Sequence, residues 1–264
     1  MAFAYVIIFL FGLTIGSFIN VCIYRIPLGK SIVVPPSACT GCGKRLAVPD
    51  LVPVLSYVFL RGHCRHCGSR ISPRYPLIEL LTAVVFTALF IKYGFTISFI
   101  AFAFLMTILI AVFFIDIDHR IIPDELVIAG VTGGVALLVY HFFKPLTEVF
   151  GNNSWWSPVA GFFSGSGFLL LVALLGLFIY KTDDAMGMGD VKLMAPIGLF
   201  LGWKLCLTAL FISIILAGLS SLILILFRIK KKKDTIPFGP FIVTGTFVTI
   251  LFGWDLLNWY SGLL

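Results

Sequence analysis

Long apolar runs recur along this chain and restrict the folds that it can adopt. Eight of them are candidates for membrane-spanning helices, which need about 20 apolar residues each. They cover residues 4–24, 76–91, 96–115, 126–143, 156–180, 191–203, 205–227 and 237–254. The chain is 60% hydrophobic and 12% charged, whereas soluble domains are about half apolar and a quarter charged. Because the runs are too long and too uniformly apolar for barrel strands, we predict an all-α polytopic membrane protein with about eight transmembrane helices.

The loops between these runs differ sharply in positive charge. With the N-terminus outside the cell, all but three of the 19 Lys and Arg residues fall in loops on one side. The other side holds only Lys92, Lys144 and Lys204. Since cytoplasmic loops carry an excess of basic residues, we predict an outside N-terminus and basic loops that face the cytoplasm. The net charge of +7 then reflects topology and contact with anionic lipid, and we expect no nucleic-acid partner.

Residues 25–75 form one long loop that is rich in proline, glycine and charged residues. It carries Cys39-Thr-Gly-Cys42 and Cys64-Arg-His-Cys67, with 21 residues between the two pairs. Two CxxC pairs at this spacing are typical of structural zinc sites, in which four thiolates complete a tetrahedral shell. We therefore predict a small cytoplasmic zinc-ribbon-like domain, in which the metal stabilises a loop with little core. Free thiols or two disulfides are the alternatives, although the reducing cytoplasm disfavours disulfides.

Two aspartates stand at the edges of apolar runs, where an ionisable side chain is costly and indicates function. Asp116 ends the run 96–115, and Asp190 follows Met186-Gly187-Met188-Gly189. In the predicted topology the helix before Asp116 runs inward and the helix after Asp190 runs outward, so both carboxylates reach the cytoplasmic level. Asp118 lies two residues beyond Asp116, a rotation of about 200° on a helix, so the two cannot face one site. We expect Asp116 to be used, because it directly follows the apolar run.

Two neighbouring carboxylates in a poorly solvated site share one proton, because both cannot easily ionise. The ionised member can take a proton from water, while the protonated member polarises a carbonyl group and later protonates the leaving amine. This pattern is the chemistry of an aspartyl protease. Gly187 and Gly189 are expected to allow positive φ angles and the close approach of an extended peptide.

Several motifs together resemble the bacterial type IV prepilin peptidases, the bifunctional leader peptidase and N-methyltransferase family. They occur in the family's order along nearly the whole chain. The matching segments are Gly16-Ser17-Phe18-Ile19-Asn20-Val21, Tyr24-Arg25-Ile26-Pro27, the two CxxC pairs, Ile71-Ser72-Pro73-Arg74-Tyr75-Pro76 with Glu79, residues 116–123, Gly187 to Asp190 with Lys192, and Ile236-Pro237-Phe238-Gly239-Pro240.

The resemblance implies a GxGD-type aspartyl protease of the bacterial inner membrane, with Asp116 and Asp190 as its catalytic pair. Such an enzyme removes short basic leaders from prepilins or pseudopilins, after a glycine at the cytoplasmic face, and serves type IV pili and type II secretion. It then methylates the new N-terminus with S-adenosylmethionine. Residues expected to support the motif or bind substrate are Gly187, Gly189, Lys192 and Glu79. Glu79 and the zinc loop are also the candidates for methylation, although the sequence has no glycine-rich Rossmann fingerprint.

We accordingly divide the chain into a first transmembrane helix (1–24), a zinc-binding loop domain (25–75) and a membrane peptidase core (76–264). A cation- or proton-coupled transporter that uses both aspartates is the alternative function. Transporters hold such acids near the membrane midplane, often between inverted repeats, whereas both aspartates are predicted at one face and no repeat is evident. A zinc-stabilised membrane scaffold that binds pilin-like helices without cutting them is a third alternative.

Overall fold

The computed structural model describes residues 2–151, 153–180, 187–227 and 236–263. Within these ranges the regular structure is helical, and pairing between extended segments is limited to two isolated β-bridges. The all-α prediction is therefore confirmed. The chain divides into two compact units, Met1–Phe99 and Ile100–Leu264. The loop 181–186 and the basic cluster 228–233 lie outside the described residues, and the predicted domain boundaries stay a prediction.

The first unit is built on an antiparallel pair of long helices. Its helical elements are α1 (Ala2–Arg25), a 3-10 turn (Ile26–Leu28), a second 3-10 turn (Val48–Leu51), α2 (Leu55–Phe59) and α3 (Arg74–Tyr93). A Cβ atom on Gly12 would lie 2.6 Å from the Ala83 Cα, and one on Gly16 would lie 2.5 Å from the Glu79 Cα. The absence of side chains at these two positions brings the backbones of α1 and α3 into direct contact.

The second unit contains the remaining helices. They are α4 (Ile97–His119, which begins at the boundary between the units), α5 (Asp124–Phe143), α6 (Thr147–Phe150), α7 (Trp156–Tyr180), α8 (Met188–Leu226) and α9 (Gly239–Ser261). Pro123 immediately precedes α5, and Pro240 lies in the first turn of α9. Proline is tolerated at helix starts, because the first N–H groups of a helix have no intrahelical acceptor.

Helix α8 is interrupted at Gly202, whose φ of 72° and ψ of 170° are not helical. The chain reverses its direction there. A Cβ atom on Gly165 of α7 would lie 2.9 Å from the Met194 Cε, before the break, and 2.5 Å from the Cys206 Sγ, after it. One turn earlier in α7, a Cβ atom on Gly161 would lie 2.8 Å from the Gly202 carbonyl carbon. The GxxxG spacing of these two α7 glycines suits such close helix packing. Both halves of α8 therefore run along the same stretch of α7, in opposite directions.

The break at Gly202 decides how many spans are counted. Seven of the described helices are long and apolar enough to cross a membrane when α8 is counted once. Division at Gly202 gives the segments 188–201 and 203–226, which correspond to the predicted runs 191–203 and 205–227. The sequence-based count of about eight differs only in treating this helical hairpin as two spans.

The helices of the second unit alternate in direction, which gives the unit two distinct ends. At one end the start of α9 contacts Asp116 near the end of α4. At the opposite end Trp254 of α9 donates from Nε1 to the Val149 carbonyl oxygen at 3.2 Å. We call the end that holds Asp116, Asp190 and Gly239 the aspartate end.

Candidate active site and candidate metal centre

Asp116 lies in the last turn of α4, and only 6% of its surface is exposed. Asp118 is exposed, because residues two apart on a helix point in nearly opposite directions. Asp116 is thus the member of the Asp-Ile-Asp sequence that faces the interior of the unit.

Asp190 lies in the first turn of α8 and is half-buried. It lines the same cavity as Asp116, which has a volume of about 390 Å³. The other residues that line this cavity are Arg120, Ile121, Ile122, Asp124, Gly187, Met188, Gly189 and Lys192. The fold therefore brings together two acids that are 74 positions apart in the sequence. Their catalytic roles stay a prediction.

The two glycines before Asp190 provide space, and the expectation that they adopt positive φ angles is wrong. Gly187 is the N-cap of α8 with φ −67° and ψ 124°, and Gly189 lies within the helix. A Cβ atom on Gly189 would lie 3.1 Å from the Ile122 Cβ, and one on Gly187 would lie 3.1 Å from the Asp190 Oδ2. Close packing around the carboxylate, rather than backbone strain, is what these positions require.

A backbone donor from α9 completes the surroundings of Asp116. The Gly239 N–H donates to the Asp116 Oδ2 at 3.1 Å, in a buried position. Sequence reasoning gave Gly239 no role of its own, because no periodicity relates residues that are 123 positions apart. The available signal was the segment Pro237-Phe238-Gly239-Pro240 at the start of an apolar run.

Lys192 pairs with Asp124 at the rim of the cavity. The distance from Lys192 Nζ to Asp124 Oδ1 is 2.9 Å, and the two side chains are 49% and 63% exposed. An ion pair this exposed contributes about 0–1 kcal/mol to stability. Its effect is local, since it joins the second turn of α8 to the first turn of α5 beside Asp190.

The four cysteines of the CxxC pairs come together in the first unit. Their sulfur atoms all lie within 4.8 Å of one another. The two pairs form turns with the same hydrogen bonds: the Cys39 N–H donates to the Lys44 carbonyl oxygen at 2.9 Å, and the Cys64 N–H donates to the Ser69 carbonyl oxygen at 2.8 Å. Two short hairpins thus face each other, and each supplies two sulfurs.

Glycines close both of these hairpins. The N–H groups of Gly43 and Gly68 donate to the Cys39 and Cys64 carbonyl oxygens at 2.8 and 3.0 Å. Their φ angles are 70° and 67°, in the left-handed region that glycine adopts without steric cost. Gly41 has a different reason to lack a side chain, because a Cβ atom there would lie 2.8 Å from the Ser69 Oγ.

The cysteine cluster fits a tetrahedral metal shell. With Zn–S bonds of about 2.3 Å, tetrahedral sulfurs lie about 3.8 Å apart, and the Cys39 and Cys67 sulfurs are 3.9 Å apart. Hydrogen bonding with Ser69 lowers the pKa of Cys39 to about 6 and also lowers the pKa of Cys67, which favours the metal-binding thiolates. The pKa of Cys42 is raised to about 11. A hydrogen bond from the Lys44 backbone lowers this pKa, but desolvation and the neighbouring thiols of Cys67 and Cys39 together raise it by more. A bound cation favours the thiolate at all four positions.

Comparison with known proteins shows to which family the chain belongs. Residues 10–93 match the bacterial peptidase A24 N-terminal domain, and residues 103–222 match the type IV leader peptidase family. A protein of Bacillus subtilis (strain 168) named prepilin leader peptidase/N-methyltransferase is 34% identical over 254 residues, which is 96% of each chain. This chain belongs to the type IV leader peptidase family.

Relatives with the same name occur in other bacteria. The protein of Aeromonas hydrophila is 32% identical over 96% of this chain and 92% of its own length. The protein of Myxococcus xanthus (strain DK1622) is 38% identical over 78% of this chain and 58% of its own length. No solved structure matches the chain.

In this member of the type IV leader peptidase family, Glu79 connects the long loop to the helices of the first unit. Its side chain lies on α3 and is 7% exposed. Its Oε2 accepts a hydrogen bond of 2.7 Å from the Val54 N–H, and its carboxylate also interacts with the Ser17 hydroxyl. Val54 has a φ of 60°, which is rare for a β-branched residue. The bond to Glu79 therefore holds an unusual loop conformation against α3.

Proposed function

We propose that this chain is a prepilin leader peptidase that also methylates the new N-terminus of its product. The main support for the peptidase activity is the cavity that Asp116 and Asp190 share. Both residues lie within the region 103–222 that matches the type IV leader peptidase family. Relatives that match nearly the whole chain carry both activities in their names. The substrates are prepilins or pseudopilins with a short basic leader.

The peptidase reaction is the addition of one water molecule across a peptide bond. The ionised aspartate takes a proton from the water as the water oxygen bonds to the scissile carbonyl carbon, and the protonated aspartate gives its proton to the carbonyl oxygen. The C–N bond of the resulting gem-diol then breaks. By then the second aspartate has given up its proton, so the first aspartate, and not the second as the sequence analysis expected, returns its proton to the leaving nitrogen. One hydroxyl proton goes back to the second aspartate. Both carboxyl groups are restored without a covalent intermediate.

We infer that the protein lies in the bacterial inner membrane, with its N-terminus outside and the aspartate end at the cytoplasmic face. The distribution of Lys and Arg between the loops supports this orientation. Arg120 and Lys192 lie at the cavity, whereas Lys144 and Lys204 follow α5 and the Gly202 break at the other end of the unit. The active site is then open to newly made prepilins that have not been exported.

We assign methyl transfer to the first unit, with S-adenosylmethionine as the methyl donor. The terminal amine must lose a proton before its nitrogen attacks the methyl carbon, and Glu79 is the candidate carboxylate for that proton. The loop that holds the cysteine cluster borders Glu79 through Val54. A four-cysteine zinc site has no open coordination position, so its role is to stabilise this loop rather than to take part in catalysis.

Reconstitution of the purified full chain in bilayer vesicles with a prepilin tests both activities. Mass spectrometry is expected to detect loss of the leader without S-adenosylmethionine, and a further gain of one methylene mass when the donor is added. Vesicles that contain correctly inserted protein but leave the prepilin intact would contradict the proposal. The same vesicles are expected to catalyse no proton or cation flux, which separates the enzyme from the transporter alternative.

Loss of the proposed zinc site is expected when half of its ligands are removed. The double variant Cys39→Ser, Cys42→Ser should lower the zinc content from about one ion per chain to nearly none, because two thiolates cannot complete the shell. Metal analysis of the purified protein measures this, and the loop should become sensitive to proteases. Cys22→Ala, which changes a buried thiol of α1 outside the cluster, is the control. An unchanged zinc content in the double variant would contradict the proposed zinc site.

A further inference from the structure

The segment Pro237-Phe238-Gly239-Pro240 takes no part in the mechanism above, although it contacts one of its two acids. Its Gly239 N–H donates to the Asp116 Oδ2 at 3.1 Å. The acceptor belongs to a carboxylate that is 6% exposed, so this bond supplies a donor where water has little access. A buried polar group that is left without a hydrogen-bond partner destabilises the folded protein by about 1–3 kcal/mol.

The sequence of this segment leaves one N–H group available for Asp116. The first N–H groups of a helix have no acceptor within the helix. In the first turn of α9, Pro240 has no N–H, and the N–H groups of Phe241 and Ile242 donate to the Phe238 carbonyl oxygen at 3.0 and 3.1 Å. Among residues 239–242, the Gly239 N–H is therefore the donor that remains. It also lies at the positive end of the helix dipole, which favours an anionic acceptor.

The same position requires a residue without a side chain. A Cβ atom on Gly239 would lie 2.6 Å from the Asp116 Oδ2 and 3.1 Å from its Cγ. These distances are shorter than van der Waals contact, and the obstructing atoms are those of the carboxylate itself. Any other residue would displace the carboxylate or remove the N–H from hydrogen-bond reach.

We propose that Gly239 is a positioning residue for the peptidase reaction, whose N–H holds the Oδ2 of Asp116 so that its Oδ1 takes the proton from the attacking water. An ionised carboxylate only accepts hydrogen bonds, so an N–H donor matches this form of Asp116. Asp190 is then the protonated member, which gives its proton to the scissile carbonyl oxygen. This assignment rests on the peptidase function proposed above.

Two variants at position 239 test the assignment. Gly239→Ala adds the obstructing Cβ atom, and glycolic acid at 239, introduced by splicing in a synthetic C-terminal segment, replaces the N–H by oxygen without adding an atom. Loss of a charge-assisted hydrogen bond is expected to lower kcat for leader removal about 10- to 100-fold in the glycolate variant. Gly239→Ala should lower kcat at least as much. KM should change less than about 3-fold in both, because the bond acts on Asp116 and not on the substrate.

The control on the same helix is Gly253→Ala, at the end away from Asp116. Its Cβ would meet the Leu205 and Thr249 side chains, each at 2.8 Å, and neither a backbone atom nor a carboxylate is among its three nearest atoms. It should keep kcat within about 3-fold of the wild type. A glycolate variant with wild-type kcat, or one that changes only KM, would overturn the assignment. The peptidase proposal fails separately, if Asp116→Asn in the same vesicles still removes the leader.

Discussion

Replacement of Asp116 or Asp190 by Asn is expected to lower leader removal by at least about 1000-fold. Asparagine keeps the size and the hydrogen-bonding shape of aspartate, but it neither takes a proton from water nor donates a carboxyl proton. Because the reaction uses both proton transfers in one cycle, each single variant should be as inactive as the double variant. Quantitative mass spectrometry of the released leader, with the protein reconstituted in vesicles, measures this effect.

The matched control for this pair is Asp118→Asn, two residues beyond Asp116 on the exposed face of α4. It should retain cleavage within about 3-fold of wild type, since surface substitutions have small effects. Both inactive variants should still methylate a peptide whose leader has already been removed, because methyl transfer is assigned to the first unit. Normal cleavage by Asp116→Asn or by Asp190→Asn would rule out the two-aspartate mechanism.

Gly198→Val is expected to cause the largest loss of stability among substitutions far from the cavity. Gly198 of α8 meets the backbone of Gly161 on α7, and an added Cβ atom would overlap the Gly161 carbonyl group and lie 2.7 Å from the Phe162 backbone nitrogen. Backbone atoms cannot rotate away as a side chain can, so α7 and α8 must separate. We expect a loss of about 3 kcal/mol, or a decrease in Tm of about 10 °C.

Thermal unfolding in detergent measures this change, and Gly218→Val provides the comparison within the same helix. A Cβ atom on Gly218 has no neighbour within 4 Å, so this variant should unfold within about 2 °C of the wild type. Leader removal by Gly198→Val should also decline, because Asp190 lies two turns before Gly198 on the displaced helix. Equal stability of the two variants would contradict the close backbone contact between α7 and α8.

The sequence predicts those parts of this protein that depend on local pattern. Apolar runs identify the long helices, and the predicted interruption between residues 203 and 205 falls close to the observed break at Gly202. The spacing of the CxxC pairs identifies the cysteine cluster, since each hairpin is made by six consecutive residues. The direction of the helices before Asp116 and after Asp190 follows from counting spans.

Contacts between distant segments could not be predicted in this way. The bonds from Gly239 to Asp116 and from Val54 to Glu79 are set by how helices and loops pack, and a single sequence contains no rule for them. The error at Gly187 has a related cause. Glycine is used both for unusual backbone angles and for close packing, and only the surroundings decide between these uses.

The reversal at Gly202 determines the end of the unit at which the chain leaves α8 and begins α9. An unbroken helix over all 39 residues of α8 would be about 58 Å long, nearly twice the hydrocarbon thickness of about 30 Å. Leu226 would then lie at the end of the unit opposite Asp190, and the next helix would start there. The reversal instead returns the chain to the aspartate end, so that α9 starts beside Asp116. One glycine with a positive φ angle, remote from both acids, thus determines that three segments of the chain meet at the aspartate end.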